Sequence, residues 1–262
     1  MAPFPLERRM IELALIGIGT GNPDHVTLQA IEAMNAADLI MIPVKGPEKT
    51  ELAELRRTLL ATHLKNPETR VVEFDLPVRD VVTTSYGATV ADWHGAIAEA
   101  WETVIVDTLD PGTPGRVALL VWGDPMLYDS SLRIAGILGR RIPLRPRVIP
   151  GITAIQALCA AHAIPLNEVG APVMITTGRQ LRDHGWPGDA ETIVVMLDGE
   201  CSFRSLDPEG FRIWWGGCVA MPQERLVAGV LSDVAAEIVK VRETLRAENG
   251  WVMDIYLLRR IG

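Results

Sequence analysis

Cysteine is scarce: Cys159, Cys201 and Cys218 are odd in number, far apart and in no metal-ligand spacing. That excludes a disulfide scaffold, gives no reason to expect a metal site, and suits a reducing cytoplasm. Long apolar runs are also missing. None approaches the ~18 residues of a membrane span, and the run behind Arg8 and Arg9 is broken by Glu12 and then by glycines, so it is no secretory segment. Basic excess is absent too, with 25 Lys and Arg against 33 Asp and Glu and a net charge of −8. Such a chain has no surplus cations to neutralise a phosphate backbone, so nucleic acid is not the expected partner. The Arg140, Arg141, Arg145 and Arg147 cluster reads as a solvated strand flank. Finally, the chain contains no Walker Gly-Lys-Ser/Thr, no Gly-x-Ser-x-Gly, no His-Glu-x-x-His and no Cys-His arrangement. A cytoplasmic protein without those chemistries is expected.

What is present is an alternation of short apolar runs and helical periodicities. Residues 11–17, 39–44, 71–74 and 116–122 read as strands, and Val148-Ile149 ends a fifth. Between them lie helices at about 24–36, with Asp24 as N-cap and Leu28, Ile31 and Met34 on one stripe, and at about 48–63, 88–109 and 128–139. Trp93 and Trp101 belong to the core. Strand-helix alternation predicts a parallel doubly wound sheet. Beyond Gly151 the character changes to a short helix at 152–162, strands at about 172–177, 191–197, 211–215, 225–231 and 251–260, and one helix near 233–248. The expected fold class is therefore α/β in two domains, 1–150 with a parallel sheet and 151–262 with a mixed one, and with a ligand cleft between them.

The stretch Val121-Trp122-Gly123-Asp124-Pro125-Met126-Leu127-Tyr128 is a strand that stops at a Gly-Asp-Pro turn. In open α/β sheets ligands sit at the carboxyl ends of strands, so Gly123 permits close backbone approach and Asp124 can offer a carboxylate to a cation. The first glycine loop, Gly17-Ile-Gly-Thr-Gly-Asn-Pro23, is not a dinucleotide fingerprint. The third glycine position holds Asn22, proline follows at once, and the second strand runs into Lys45 where an acid for ribose hydroxyls would stand. A nucleotide-dependent oxidoreductase is thereby disfavoured.

Four segments in order, Gly17-Ile-Gly-Thr-Gly-Asn-Pro-Asp24, Trp122-Gly-Asp-Pro-Met-Leu127, Pro150-Gly-Ile-Thr-Ala154 and Gly217-Cys-Val-Ala-Met-Pro-Gln223, resemble the tetrapyrrole (corrin and precorrin) methyltransferases that use S-adenosylmethionine. Within that family, Lys45-Gly-Pro-Glu-Lys-Thr-Glu-Leu52, Leu55-Arg-Arg57 and Tyr128-Asp-Ser-Ser-Leu-Arg-Ile134 look like the branch that methylates C-1 of precorrin-5 and releases the C-20 acetyl group as acetate. A different tetrapyrrole C-methyltransferase and a non-catalytic tetrapyrrole carrier are the alternatives.

The resemblance implies cofactor contacts from Trp122, Gly123, Asp124 and Leu127, from Thr153 and Ala154, from Met196, and from Cys218 on the adenosine side. Many relatives have proline where Thr20 stands, so that contact does not transfer. It also implies S-adenosylhomocysteine as product and a homodimer. A sulfonium donor carries no phosphate, which agrees with the missing phosphate motifs. The substrate's carboxylates want cations, for which Lys45, Lys49 and Arg56 are candidates. Methyl transfer asks chiefly for alignment. Deacetylation needs a base and an oxyanion donor, for which Asp24, His25 and Tyr128 are the candidates.

Overall fold

The computed structural model describes residues 10–44, 50–77, 86–110 and 114–261. By internal contacts the chain divides into two units, the first running to Gly19 and then from Pro23 to Ile152, the second comprising Thr20–Asn22 and Thr153 onward.

The first unit is built on five strands, β1 (Ile11–Gly17), β2 (Leu39–Val44), β3 (Arg70–Asp75), β4 (Gly115–Val121) and β5 (Leu144–Ile149). They lie in the order β3-β2-β4-β1-β5, and every pairing is parallel. Side chains of a strand alternate between faces, so apolar residues at both parities mean burial on both sides. Leu13 and Leu15 of β1 join a core with α3 (Tyr86–Thr108) and α4 (Ser131–Leu138), where Trp101 is buried and Trp93 packs against it. Ala14 and Ile16 join the opposite core with α1 (Leu28–Ala36) and α2 (Thr50–His63). The loops that leave β1 and β4, which are neighbours in the sheet, thus run to opposite faces. In open α/β sheets ligands sit at the carboxyl edge beside such a divergence.

Two local expectations change. Helix α1 begins at Leu28, because Thr27 and not Asp24 is its N-cap, its hydroxyl accepting from Ala30 N at 3.1 Å. Pro23–His25 instead forms a 3-10 turn. The buried stripe is then Ala30, Ala33 and Met34, and Leu28 is 79% exposed. Helix α4 begins at Ser131, since Tyr128 has φ 52° and cannot be helical. Asp129 stops the preceding chain by accepting from Ser131 N at 2.6 Å. The arginine cluster is the solvated flank expected of it: all four residues are exposed, with Arg145 and Arg147 of β5 meeting Glu12 of β1 and Arg141 meeting Glu102. The hydrogen bond from Arg145 holds the Glu12 carboxyl below its usual range, against the opposing effect of burial.

The second unit carries α5 (Ala154–Ala161), β6 (Val173–Thr177), α6 (Gly178–His184), β7 (Thr192–Met196), β8 (Phe211–Gly217), β9 (Arg225–Val230), α7 (Leu231–Asn249) and β10 (Asp254–Arg260). The sheet order is β6-β7-β10-β8-β9, with β6 and β7 parallel and the other pairs antiparallel. This is the expected mixed sheet. Helix α6 escapes a periodicity reading because its seven residues bury only Gly178 and Leu181. One sheet face packs Val195, Trp215, Tyr256 and Phe203 with α6 and α7. On the other, α5 sets Leu158 against Gly216 and His162 against the Trp215 carbonyl at 3.0 Å. Helix α5 therefore runs antiparallel to β8, with its N-terminus toward the strand's carboxyl end.

Candidate active site

In the first unit three loops meet backbone to backbone at the carboxyl edge of the sheet. Gly19 and Gly123 form an antiparallel bridge, Gly19 N donating to Gly123 O at 3.2 Å and Gly123 N to Gly19 O at 2.8 Å. Gly151 is packed so closely that a Cβ on it would lie 2.1 Å from Gly123 O, and one on Gly17 would lie 2.5 Å from Gly151 N. These glycines serve mutual contact. Gly123 differs: at φ 65° nothing lies within 4 Å of where its Cβ would stand. Its Cα face is open, so a ligand can lie directly on the backbone there.

Asp124 holds this assembly together. Its Oδ2 accepts from Gly151 N at 2.9 Å and its Oδ1 from Met126 N at 2.8 Å. The carboxylate expected to meet a cationic ligand thus has both oxygens on backbone amides and acts as a strut between the β4 and β5 loops. The reason lies in the Asp-Pro turn, which aims the side chain back along the loop. Trp122 and Leu127 flank it, both half-buried, and Leu127 N donates to Asp124 O at 3.3 Å.

Arg56 is likewise placed differently from expectation. It lies among the buried positions Ala53, Leu59 and Leu60 of α2, with Nε on the Leu120 carbonyl at 2.8 Å and Nη1 on Leu52 O at 3.0 Å. Burial pulls its pKa down to about 10, with the charge of Asp129 opposing. It ties α2 to the end of β4. Lys45 and Lys49 lie outside the described residues.

The base candidates also separate. Asp24 is exposed on the 3-10 turn. His25 tucks under the Gly19 loop, and its Nδ1 is buried with no hydrogen-bond partner among the described residues. Burial raises the pKa of Tyr128, so the phenol stays protonated at neutral pH and can donate a proton but not accept one. A crevice of about 180 Å³ bounded by Glu12, Ala33, Arg116 and Arg147 lies at the amino ends of β1 and β4, the end of a parallel sheet that does not bind ligands.

In the second unit the carboxyl ends of β6, β7 and β8 share one edge, since β10 runs antiparallel to both β7 and β8. Tyr256 stands opposite Val195 and Trp215, so the next rung outward holds Met196, Ile255 and Gly216. Met196 and Gly216 are then two strand spacings apart, roughly 10 Å. Met196 ends β7 half-buried. Thr153 caps α5 in a capping box with Gln156, its hydroxyl accepting from Ile155 N at 3.2 Å, and Ala154 opens the helix. Cys218 is buried at φ 50°, with its amide on Met253 O at 2.7 Å and its carbonyl accepting from Met221 N at 3.0 Å. It shapes the loop after β8. Sequence reading missed the segment just after Met196, where Leu197 (φ 53°) is an exposed leucine in a left-handed conformation and Asp198 is buried. The Leu-Asp-Gly after an apolar run was the available signal.

Comparison with known proteins identifies the family. The family model for Tetrapyrrole (Corrin/Porphyrin) Methylases matches residues 12–235. The chain is 47% identical over 256 residues to a Sinorhizobium sp protein named Precorrin-6A synthase [deacetylating], covering 97% of each chain. It is 30% identical to a Precorrin-2 C(20)-methyltransferase of Sinorhizobium sp over 71% of this chain and 73% of that one. Among solved structures, a cobalamin synthesis related protein (CobF) from Corynebacterium diphtheriae superposes with a TM-score of 0.82 at 35% identity, over 97% of this chain and all of that one. A uroporphyrin-III C-methyltransferase from Thermus thermophilus complexed with S-adenosylhomocysteine shares the fold at a TM-score of 0.57 and 20% identity, over 95% of this chain and 92% of that one. Since the family model takes in the parallel sheet and reaches well into the second unit, the chain belongs to the tetrapyrrole (corrin/porphyrin) methylases.

Proposed function

We propose that this protein methylates C-1 of precorrin-5 with S-adenosylmethionine and releases the C-20 acetyl group as acetate, acting as a cytoplasmic homodimer. The name of the 47%-identical Sinorhizobium protein, matched over 97% of each chain, supports the assignment. The structural observation that carries it is the open Cα face of Gly123, set among stitched loops that offer backbone groups and no phosphate clamp. That surface fits an adenosyl donor with a sulfonium and no phosphate. When bound, S-adenosylmethionine supplies an activated methyl group, so the chain's own task in that step is alignment of donor and acceptor roughly 3–3.5 Å apart.

Deacetylation falls to side chains of the first unit. His25, with its unpartnered Nδ1, is the proposed base, and Tyr128, a neutral phenol, the proposed donor to the acetyl oxygen. His25 removes a proton from water as the water oxygen bonds to the acyl carbon. The bond from that carbon to C-20 breaks, its electron pair passes to the macrocycle, and acetate leaves.

Thermal unfolding with S-adenosylhomocysteine, NAD and ATP tests the donor assignment. At 100 times its dissociation constant S-adenosylhomocysteine should add about 2.7 kcal/mol, with no protection from the others. Protection by NAD alone would revive the oxidoreductase reading, and corrinoid binding without donor affinity would make the protein a carrier. For the base, His25→Gln should lower acetate release from precorrin-5 roughly 100-fold or more. Full activity in His25→Gln, Tyr128→Phe and Asp24→Asn alike would remove all three from the mechanism.

A further inference from the structure

The parallel sheet of the first unit splits before it ends. Pairing of β2 with β4 runs from Leu39 opposite Val117 to Met41 opposite Leu119 and stops there. Yet β2 stays with β3 as far as Val44, and β4 stays with β1 as far as Val121. The cause is one residue. Backbone groups of a strand alternate between its two neighbours, and Val121 O accepts from Ile18 N on the β1 side at 3.0 Å, so Leu120 O points toward β2. In the parallel register its donor would be the N–H of residue 43, two beyond Met41. Residue 43 is proline, which has none.

A carbonyl left open inside the sheet is costly, and Arg56 of α2 supplies the missing donor, its Nε meeting Leu120 O at 2.8 Å. With Nη1 on Leu52 O at 3.0 Å, the guanidinium has used two of its five N–H groups, which leaves three. Asp129 is the acid whose charge reaches it, but the two form no ion pair, and the Asp129 Oδ1 is taken by Ser131 N at 2.6 Å. Burial meanwhile works against the charge. One open carbonyl needs only one neutral donor. A guanidinium brings in addition a cation and a planar fork, the shape that matches a carboxylate. The split it occupies lies at the carboxyl edge, three residues before Gly123, between strands whose following helices α2 and α4 pack on opposite faces.

We propose that Arg56 binds a peripheral carboxylate of the macrocycle at the split between β2 and β4, its Nε standing in for the N–H that Pro43 lacks and its remaining N–H groups taking the ligand. The proposal rests on the reading of the protein as a methyltransferase of a polycarboxylate tetrapyrrole. It explains together why a proline interrupts an inner strand and why a cation, not a neutral donor, fills the gap.

The test compares wild type, Arg56→Leu, Pro43→Ala and the double variant Pro43→Ala, Arg56→Leu. For each, the thermal midpoint, the affinity for S-adenosylhomocysteine by titration, and KM and kcat for precorrin-5 are measured. Arg56→Leu should lower the midpoint, because Leu120 O loses its donor, and raise the KM for precorrin-5 roughly 10- to 100-fold, the range of one charged hydrogen-bonded pair. In the double variant the N–H of residue 43 returns to the ladder, so the midpoint should recover while the KM stays high against Pro43→Ala. Affinity for S-adenosylhomocysteine should be unchanged throughout. A double variant with both midpoint and KM restored would make Arg56 a structural plug and overturn the proposal. So would a rise in KM matched by an equal loss of affinity for S-adenosylhomocysteine, or a midpoint that stays low. Wild type that binds S-adenosylhomocysteine and does not turn over precorrin-5 would instead remove the proposed function on which this contact rests.

Discussion

Gly151→Ala is expected to destabilise the protein by roughly 3 kcal/mol or more, a large share of a typical domain's stability. The added methyl would stand 2.1 Å from Gly123 O and 2.8 Å from both Gly17 C and Gly17 Cα. All of these are backbone atoms, so no rotamer change can make room. Relief requires the β4 and β5 loops to part, and that breaks the Asp124–Gly151 hydrogen bond as well. Gly123→Ala should behave in the opposite way. Its methyl meets no atom within 4 Å, and the cost is confined to the positive φ, about 1–2 kcal/mol. The methyl would, however, occupy the open face on which the donor is proposed to lie. Urea unfolding and titration with S-adenosylhomocysteine separate the two: Gly151→Ala should lose stability, and Gly123→Ala should stay folded and lose affinity. A Gly151→Ala protein as stable as wild type would show that the three loops are not packed as described.

Arg242→Leu is expected to cost about 3–5 kcal/mol near neutral pH, because it leaves a buried carboxylate without its cation. Arg242 Nε meets Asp254 Oδ2 at 3.0 Å, Trp215 Nε1 donates to the same oxygen at 3.1 Å, and the Asp254 side chain is 4% exposed. Burial already pushes the Asp254 carboxyl above its usual range, with the charge and hydrogen bond of Arg242 and the indole of Trp215 opposing. Without Arg242 the pKa climbs further. A carboxyl whose folded pKa is raised penalises the fold only once the unfolded chain can ionise, above about pH 4, and the penalty grows until the folded pKa is passed. The deficit of Arg242→Leu should therefore be largest at pH 7 to 8 and shrink as pH falls. The double variant Arg242→Leu, Asp254→Leu should recover most of it, since an apolar pair of similar volume replaces the ion pair. A deficit independent of pH and unrelieved in the double variant would mean that lost packing of the arginine stem, and not the stranded charge, is responsible.

Much of the fold was legible because its signals are local. The strands of the first unit are apolar at both parities, as a sheet covered on both faces demands, and the turn at Gly123-Asp124-Pro125 marks a strand end in any context. Legibility failed where two local signals compete. Asp24 and Thr27 are both good N-caps, and Pro23 decides between them by favouring a tight 3-10 turn that delays the helix to Leu28. That shift rotates the buried stripe and leaves Leu28 in solvent.

The sequence by itself determined the class of protein: two α/β segments, glycine-bearing loops at strand ends, no phosphate or metal motif, and the ordered segments that mark the family. Only the tertiary structure decided what those residues do. Asp124 became a strut because Gly151 N, from another loop, lies within 2.9 Å, and Arg56 became a brace because it reaches the Leu120 carbonyl across the face of the sheet. The Asp198 carboxylate was fixed by the hydroxyl of Tyr256, a strand away. Periodicity and spacing report neighbours along the chain, whereas the direction of a buried polar side chain is set by the partners that must satisfy it, and those come from wherever the fold brings them.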